Sequence, residues 1–173
     1  HRPALVDDVE LLEPMLDALA RIAERLVLFY PVHPRAMARM AGFGLIDEAD
    51  ASAELLRYKG SQLHLCRPIR YQEFLWLMDN ARLLITDSGG IQEETTALGV
   101  PCLTVRDNTE RAVTIREGTN ELIGVDPAKL ETAVARVLSE EMPKSERIPA
   151  QWDGHAGQRI INDLLSWLRE RGA

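Results

Sequence analysis

A short apolar run followed by two glycines and a helix signal constrains the fold of this chain more than any other stretch. Leu-Leu-Ile-Thr at 83–86 predicts a buried strand, and Asp-Ser-Gly-Gly at 87–90 predicts a tight turn. The segment from Ile91 predicts a helix, which Gly99 and Pro101 end. A strand, turn and helix in this order are typical of α/β domains that bind ligands at the turn.

The turn itself predicts a phosphate cradle. The first N–H groups of a helix have no partner within it, and glycines let an anion approach the backbone closely. A carboxylate one turn further along, such as Glu94, can accept hydrogen bonds from sugar hydroxyls. An alternative stays open, in which Ser88 only caps the helix, Gly89 and Gly90 only form the turn, and the glutamates complement the helix dipole.

Strand and helix patterns alternate along the whole chain. Apolar runs predict strands at 26–30, 62–66, 83–86, 101–105 and 121–125. Helices are predicted from 7–26, 71–78 and 158–169, with short helical pieces at 35–43 and 48–56, and Asp126 followed by Pro127 begins another helix. The pattern indicates an α/β fold with a doubly wound, Rossmann-like parallel sheet of about five strands.

Composition limits the size of the fold and the kind of partner. A chain of 173 residues with 46% hydrophobic content can form the core of one domain, here taken as residues 1–173. The net charge of −7 argues against nucleic acid or an anionic membrane as the main partner, and no apolar stretch has the length of a membrane span. Cys66 and Cys102 lie in predicted buried strands without metal-ligand spacing, which predicts structural thiols and no metal site.

Three segments together resemble a known family. They are Asp-Ser-Gly-Gly-Ile-Gln-Glu-Glu at 87–94, Arg-Asp-Asn-Thr-Glu-Arg at 106–111, and the His1-Arg2 pair. The chain, from His1 to about Leu168, resembles the C-terminal half of bacterial and archaeal UDP-N-acetylglucosamine 2-epimerases. This resemblance implies a two-domain fold of the glycosyltransferase-B type, with the N-terminal domain and the first strand outside this chain.

The resemblance also implies roles for individual residues. Backbone N–H groups at Ser88 to Gly90 and the side chain of Arg111 would bind a diphosphate, and Glu94 would bind the ribose. Glu93 points about 100° away around the helix and is expected to matter little. One departure concerns the loop, because the family's Thr-Glu-Arg-Pro-Glu is Thr-Glu-Arg-Ala-Val at 109–113 here.

Further roles concern the base and a second site. The turn and helix start from Ile69 to Phe74 would form the uracil pocket, chiefly through backbone groups. His1 would lie near the phosphates or the sugar as the catalytic residue of this half. Arg2 and His33 match positions that, in some bacterial epimerases, belong to an allosteric site for a second UDP-N-acetylglucosamine.

The implied reaction is inversion at C2 of UDP-N-acetylglucosamine by elimination and re-addition of UDP, without a cofactor. Because the acid and base residues belong chiefly to the N-terminal domain, this chain alone is expected to bind UDP but not to epimerise. The complete enzyme is expected to be a cytoplasmic homodimer. A hydrolysing epimerase, a UDP-sugar transferase half and a non-catalytic nucleotide-sugar sensor remain open. The terminal helix is expected to expose an apolar side when the other domain is absent.

Overall fold

The computed structural model describes residues 2–140, 145 and 147–171. Within them the chain forms eight α-helices and six β-strands. The helices are α1 (Pro3–Val6), α2 (Val9–Ile22), α3 (Pro34–Gly42), α4 (Tyr71–Asp79), α5 (Gly89–Leu98), α6 (Ala112–Arg116), α7 (Pro127–Ser139) and α8 (Ala156–Glu170). The strands are β1 (Leu28–Pro31), β2 (Leu55–Arg57), β3 (Leu63–Cys66), β4 (Leu84–Thr86), β5 (Cys102–Thr104) and β6 (Asn120–Leu122).

The strands form two sheets of three, which confirms the α/β class with parallel pairing. One sheet has the order β1-β3-β2, with β1 parallel to β3, and the other has the all-parallel order β4-β5-β6. The strand β2 runs antiparallel to β3 and pairs Leu55 with Cys66. The helical prediction for 48–56 is therefore wrong at its end, where β2 begins. Only Glu48–Ser52 is helical, and it forms a 3-10 helix.

The helix α2 packs against two apolar clusters, one for each sheet. Leu12 and Leu16 belong to the cluster around β1 and β3, whereas Met15 and Ile22 belong to the cluster around β5 and α7. These four side chains are at most 6% exposed. Burying an aliphatic side chain of this size stabilises the fold by roughly 1.5–3 kcal/mol, so α2 joins the two halves of the core.

Two predicted helix starts have the capping contacts that their sequences indicate. The carboxylate of Asp126 accepts hydrogen bonds from the backbone N–H of Ala128 and Lys129, at 3.0 and 3.1 Å. Asp8 caps α2 in the same way through the N–H of Glu10 at 2.9 Å. These caps satisfy donors that the first helical turn leaves without partners.

The last helix, α8, has its apolar side in solvent, as expected from the sequence. No residue of α8 is buried. We call the following residues the α8 apolar face: Ile160, Ile161, Leu164, Leu165 and Trp167, each at least 47% exposed. No helix within the described residues has the length and apolar character needed to cross a membrane.

Candidate functional site

The predicted site residues follow strands at their carboxyl ends. His33 comes two residues after β1, Ile69 three after β3, and Ser88 two after β4, while Arg111 lies in the loop after β5. Ligands of open α/β sheets bind at this edge. Burial and the nearby Asp87 carboxylate raise the pKa of the Tyr30 hydroxyl on β1, so the end of β1 lies close to the turn after β4.

The turn between β4 and α5 leaves helical N–H groups facing outward. The N–H of Ser88, predicted to bind an anion, donates to the Thr86 hydroxyl at 3.1 Å in this structure. Ser88 stands at the cap position, but its side chain makes no capping hydrogen bond. No described residue accepts a hydrogen bond from the N–H of Gly89, Gly90 or Ile91.

The two glycines of this turn are not needed for its backbone conformation. Neither Gly89 nor Gly90 has a positive φ. A Cβ at Gly89 would lie 2.9 Å from Glu110 Oε1 and 3.5 Å from Arg111 Nε, so the end of the exposed Glu110 side chain would have to shift to admit a side chain there. A Cβ at Gly90 would have nothing within 4 Å. Gly90 is exposed and therefore leaves open space at its own position in the turn.

The side chain of Arg111 lies beside Gly89. Its Nε lies 3.3 Å from Glu93 Oε1, within ion-pair distance, yet this buried nitrogen makes no hydrogen bond to any described residue. The sequence placed Glu93 away from the site, but the structure turns it toward Arg111. Ala112, which replaces the family's proline, occupies the first position of α6, so the helix begins here without the proline.

A second arginine of the same loop, Arg106, also lies near the turn and pairs with a local acid. The side chain of Arg106 is only 17% exposed, and its Nη2 donates to Glu110 Oε2 at 3.1 Å. Its Nη1 is buried and has no hydrogen-bond partner among the described residues. The backbone N–H of Glu110 and the Arg106 guanidinium hold the pKa of the Glu110 carboxyl below its usual range.

Glu94 lies on the side of α5 that contacts α4. The nearby Glu94 carboxylate raises the pKa of the Tyr71 hydroxyl, and Tyr71 is the first residue of α4. Phe74 is half-buried in the first turn of α4, and Ile69 is half-buried just before it. The structure thus brings the predicted ribose residue beside the predicted uracil segment.

Behind the turn lies a closed ring of neutral hydrogen bonds, which we call the polar ring. Gln92 Oε1 accepts from the Thr109 hydroxyl at 2.7 Å and from Asn120 Nδ2 at 3.0 Å. Thr109 Oγ1 accepts from the backbone N–H of Arg111 at 3.0 Å, and the Arg111 carbonyl accepts from Thr114 Oγ1 at 2.8 Å. Asn120 Nδ2 also donates to Thr114 Oγ1 at 3.1 Å, which closes the ring.

The remaining predicted residues lie nearby or outside the described part. The backbone N–H of Arg2 donates to Asp87 Oδ2 at 2.9 Å, so Arg2 lies next to the Ser88 turn. His33 is exposed and caps α3, because its Nδ1 accepts from the N–H of Arg35 at 3.2 Å. His1, predicted as catalytic, lies outside the described residues.

The fold and the turn together define a doubly wound α/β domain with the strand, turn and helix geometry that suits an anionic ligand. The profile of the family described as UDP-N-acetylglucosamine 2-epimerase matches residues 1–165, so the chain belongs to this family.

Relatives in two archaea are named UDP-N-acetylglucosamine 2-epimerase. The protein from Methanococcus maripaludis is 36% identical over 169 residues, covering 94% of this chain and 42% of the relative. The protein from Methanocaldococcus jannaschii is also 36% identical, over 95% of this chain and 42% of the relative. This chain therefore spans less than half the length of the relatives it matches.

A solved structure shows the same fold with nucleotides bound. The Methanocaldococcus jannaschii UDP-GlcNAc 2-epimerase in complex with UDP-GlcNAc and UDP superposes with a TM-score of 0.76. It is 34% identical to this chain and covers 96% of it, while this chain covers 43% of that structure.

Proposed function

We propose that this chain is the UDP-binding half of a UDP-N-acetylglucosamine 2-epimerase, with the diphosphate at the Ser88 turn. The observation that carries the proposal is the pairing of outward N–H groups at Gly89 and Gly90 with open space over Gly90. A related protein that covers 96% of this chain binds UDP-GlcNAc and UDP. An anion over this turn would complete the hydrogen bonds of the first helical turn.

The diphosphate would receive both backbone and side-chain donors. The N–H groups of Gly89, Gly90 and Ile91 supply directed hydrogen bonds, and the positive end of α5 adds a favourable potential. Arg111 supplies a full charge and a planar pair of donors that fits phosphate oxygens. Glu93 now neutralises part of this charge, so its carboxylate must give way when the diphosphate binds.

The nucleoside would extend from the turn toward α4. Glu94 would accept hydrogen bonds from the 2′ and 3′ hydroxyls of the ribose. The Tyr71 hydroxyl lies close enough to that carboxylate for its pKa to be raised, so Tyr71 would stand beside the bound ribose. The backbone from Ile69 to Phe74 would then face the uracil ring, whose recognition needs donors and acceptors at fixed positions.

The reaction of the complete protein would be inversion at C2, giving UDP-N-acetylmannosamine through loss and re-addition of UDP. In this step the bond from C1 to the diphosphate oxygen breaks, and negative charge grows on the diphosphate. Arg111 and the N–H groups at Gly89 and Gly90 would stabilise that charge, and removing one such donor costs roughly 3–4 kcal/mol in comparable sites. His1 would assist near the phosphates, and other residues would move the C2 proton.

Three further proposals follow from the family resemblance. Arg2 and His33 would contact a second, activating UDP-N-acetylglucosamine, and Arg2 lies beside the Ser88 turn. The complete enzyme would act as a homodimer. Its localisation would be cytoplasmic, where nucleotide sugars serve polysaccharide synthesis.

Calorimetry with UDP tests the site directly. We expect the chain to bind UDP, and Arg111→Met to weaken binding roughly 10- to 100-fold because it removes a charged, two-pronged donor. The matched control is Arg116→Met, since Arg116 is an exposed arginine at the end of α6. Equal losses of UDP affinity in both variants would mean that only the net charge of the chain matters, and not the position of Arg111. Absence of UDP binding by the wild-type chain would overturn the proposal.

The division of labour has a separate test. The purified chain should not convert UDP-N-acetylglucosamine, as followed by NMR of the sugar signals. Appearance of UDP-N-acetylmannosamine would contradict the assignment of proton transfer to residues elsewhere. Appearance of free N-acetylmannosamine with UDP would indicate a hydrolysing enzyme instead.

A further inference from the structure

We infer that the polar ring positions Arg111 relative to the Ser88 turn, with Gln92 and Thr109 as the positioning residues. This inference rests on the proposed UDP site. The ring connects the two parts of that site, because Gln92 also donates from Nε2 to the Ser88 carbonyl at 3.3 Å. One side chain thus contacts the turn before α5 and, through Thr109, the loop that carries Arg111.

Members of the ring hold both peptide groups of Arg111. Its φ of −98° and ψ of 46° belong to neither helix nor strand, and its only backbone partner among the described residues is the N–H of Thr114, which donates to its carbonyl at 3.0 Å. Its own N–H donates to the Thr109 hydroxyl. The Thr114 hydroxyl donates to its carbonyl. Members of the ring therefore fix both peptide groups of Arg111, and with them the position from which its side chain extends.

Three of the ring's side chains are buried, and the groups that form its hydrogen bonds carry no charge. Gln92 and Thr114 are 0% exposed, and Asn120 is 5% exposed. Asn120 is fixed from a further side, because its Oδ1 accepts from the Thr104 hydroxyl of β5 at 2.6 Å. A buried network whose members are all hydrogen-bonded has one preferred arrangement, since each rotated amide or hydroxyl would leave a donor or acceptor unpaired. The ring can therefore hold Arg111 in one place before the ligand arrives.

Thr109 offers the cleanest test because it is only half-buried. Thr109→Val keeps the shape but removes the hydroxyl between Gln92 and Arg111, and should weaken UDP binding roughly 10-fold. Thr109→Ser keeps the hydroxyl and should restore most of the affinity. The control is Thr95→Val, in which a buried hydroxyl on the same helix loses bonds to the carbonyls of Ile91 and Gln92. That variant should bind UDP as the wild type does.

A double-mutant cycle separates positioning from general stability. If Thr109 acts through Arg111, Thr109→Val should cost nothing more in the Arg111→Met background, whereas independent effects would add. Thermal melts and circular dichroism establish that each variant folds, and Thr109→Ala replaces the valine variant if that one does not.

The outcomes distinguish this inference from the proposed function. If the wild-type chain binds UDP and Thr109→Val binds equally well, the inference alone is overturned. It is also overturned if the losses from Thr109→Val and Arg111→Met are additive. Failure of the wild-type chain to bind UDP would overturn the proposed site and the positioning role together.

Discussion

The neighbouring glutamates of α5 have different partners, although they look alike in the sequence. Glu93 pairs with Arg111 at 3.3 Å, whereas the Glu94 carboxylate faces the Tyr71 hydroxyl and raises its pKa. Neither lies in the first turn of α5, which begins two residues earlier than the sequence indicated, at Gly89. The role of each glutamate therefore depends on the group that it faces. Because neither lies in the first turn, favourable interaction with the helix dipole contributes little.

Exchanging each glutamate for glutamine should change UDP affinity in opposite directions. Glu94→Gln removes a charged acceptor from the ribose and should cost about 1.5–3 kcal/mol, or roughly 10- to 100-fold. Glu93→Gln removes an anion that competes for Arg111, and should strengthen binding by about two- to fivefold, since the pair is half-exposed. Calorimetry measures both, with melts in the absence of ligand. Equal and small changes in the two variants would end the ribose assignment.

The Cys102 thiol should resist alkylation in the folded chain. It is 1% exposed, and burial raises its pKa to about 11, so almost no thiolate exists at pH 8. Iodoacetamide at pH 8 should therefore label Cys102 only after a denaturant unfolds the chain, as mass spectrometry of the peptides would show. Rapid labelling under native conditions would contradict a purely structural thiol.

Sequence reasoning identified the residues of the site that belong to a local pattern. Gly89 and Gly90 are recognisable because a strand, a turn and a helix follow one another without interruption. The polar ring was missed because Gln92 meets Thr109 and Asn120 across 17 and 28 residues of chain. Only the packing of α5 against the loop and β6 brings these neutral side chains together, and their spacing in the sequence carries no signal.

At the scale of elements, α5 begins and ends with glycines for different physical reasons. Gly90 has an ordinary helical φ and open space around its Cβ position, whereas Gly99 ends the helix with a φ of +72°. A Cβ at Gly99 would lie 2.4 Å from the backbone oxygen of Ser145. The fold therefore requires a glycine at position 99, whereas it does not require one at position 90.

Alanine at these two positions should therefore have opposite effects on stability. Gly90→Ala should raise the free energy of unfolding by roughly 0.4–1 kcal/mol, because it restricts the unfolded chain at a compatible position. The same methyl group should weaken UDP binding by occupying the open space at this position in the turn. Gly99→Ala should lower stability by about 1–3 kcal/mol through strain and overlap. Urea denaturation and UDP titration give both quantities, and unchanged UDP affinity in Gly90→Ala would argue against close approach of the ligand.

Elements with a clear period were predictable, and those defined by pairing were not. The strands β1, β3, β4 and β5 lie within two residues of their predicted positions, because each is a short, mainly apolar run. The strand β6 (Asn120–Leu122) is only one-third apolar and ends three residues before the end of the predicted range 121–125. The strand β2 has only two consecutive leucines and becomes a strand by pairing with β3. Intrinsic preference is weak over three residues, so the partner strand decides.

At the scale of the whole molecule, the described chain has two sheets with separate apolar clusters, and α2 packs on both. The helix α8 contributes to neither cluster. Its N-terminal side is held by surface contacts, among them a pair in which Arg159 donates to Asp153 Oδ1 at 2.8 Å. Because no residue of α8 is buried, the stability of the domain should depend little on this helix.

The α8 apolar face should make the 173-residue chain associate with itself at high concentration. Contiguous apolar surface is rare on monomers, and covering it removes several side chains from water. Replacing Ile160 and Leu164 together by glutamate places two charges one turn apart on this face and should keep the chain monomeric in sedimentation velocity. The melting temperature and UDP affinity should stay close to wild type, since exposed substitutions cost about 0.5 kcal/mol or less. Ile148→Glu, at a 54% exposed residue off this face, is the control and should leave association unchanged. If the double variant and the wild type sediment alike over the same concentration range, the face does not drive association.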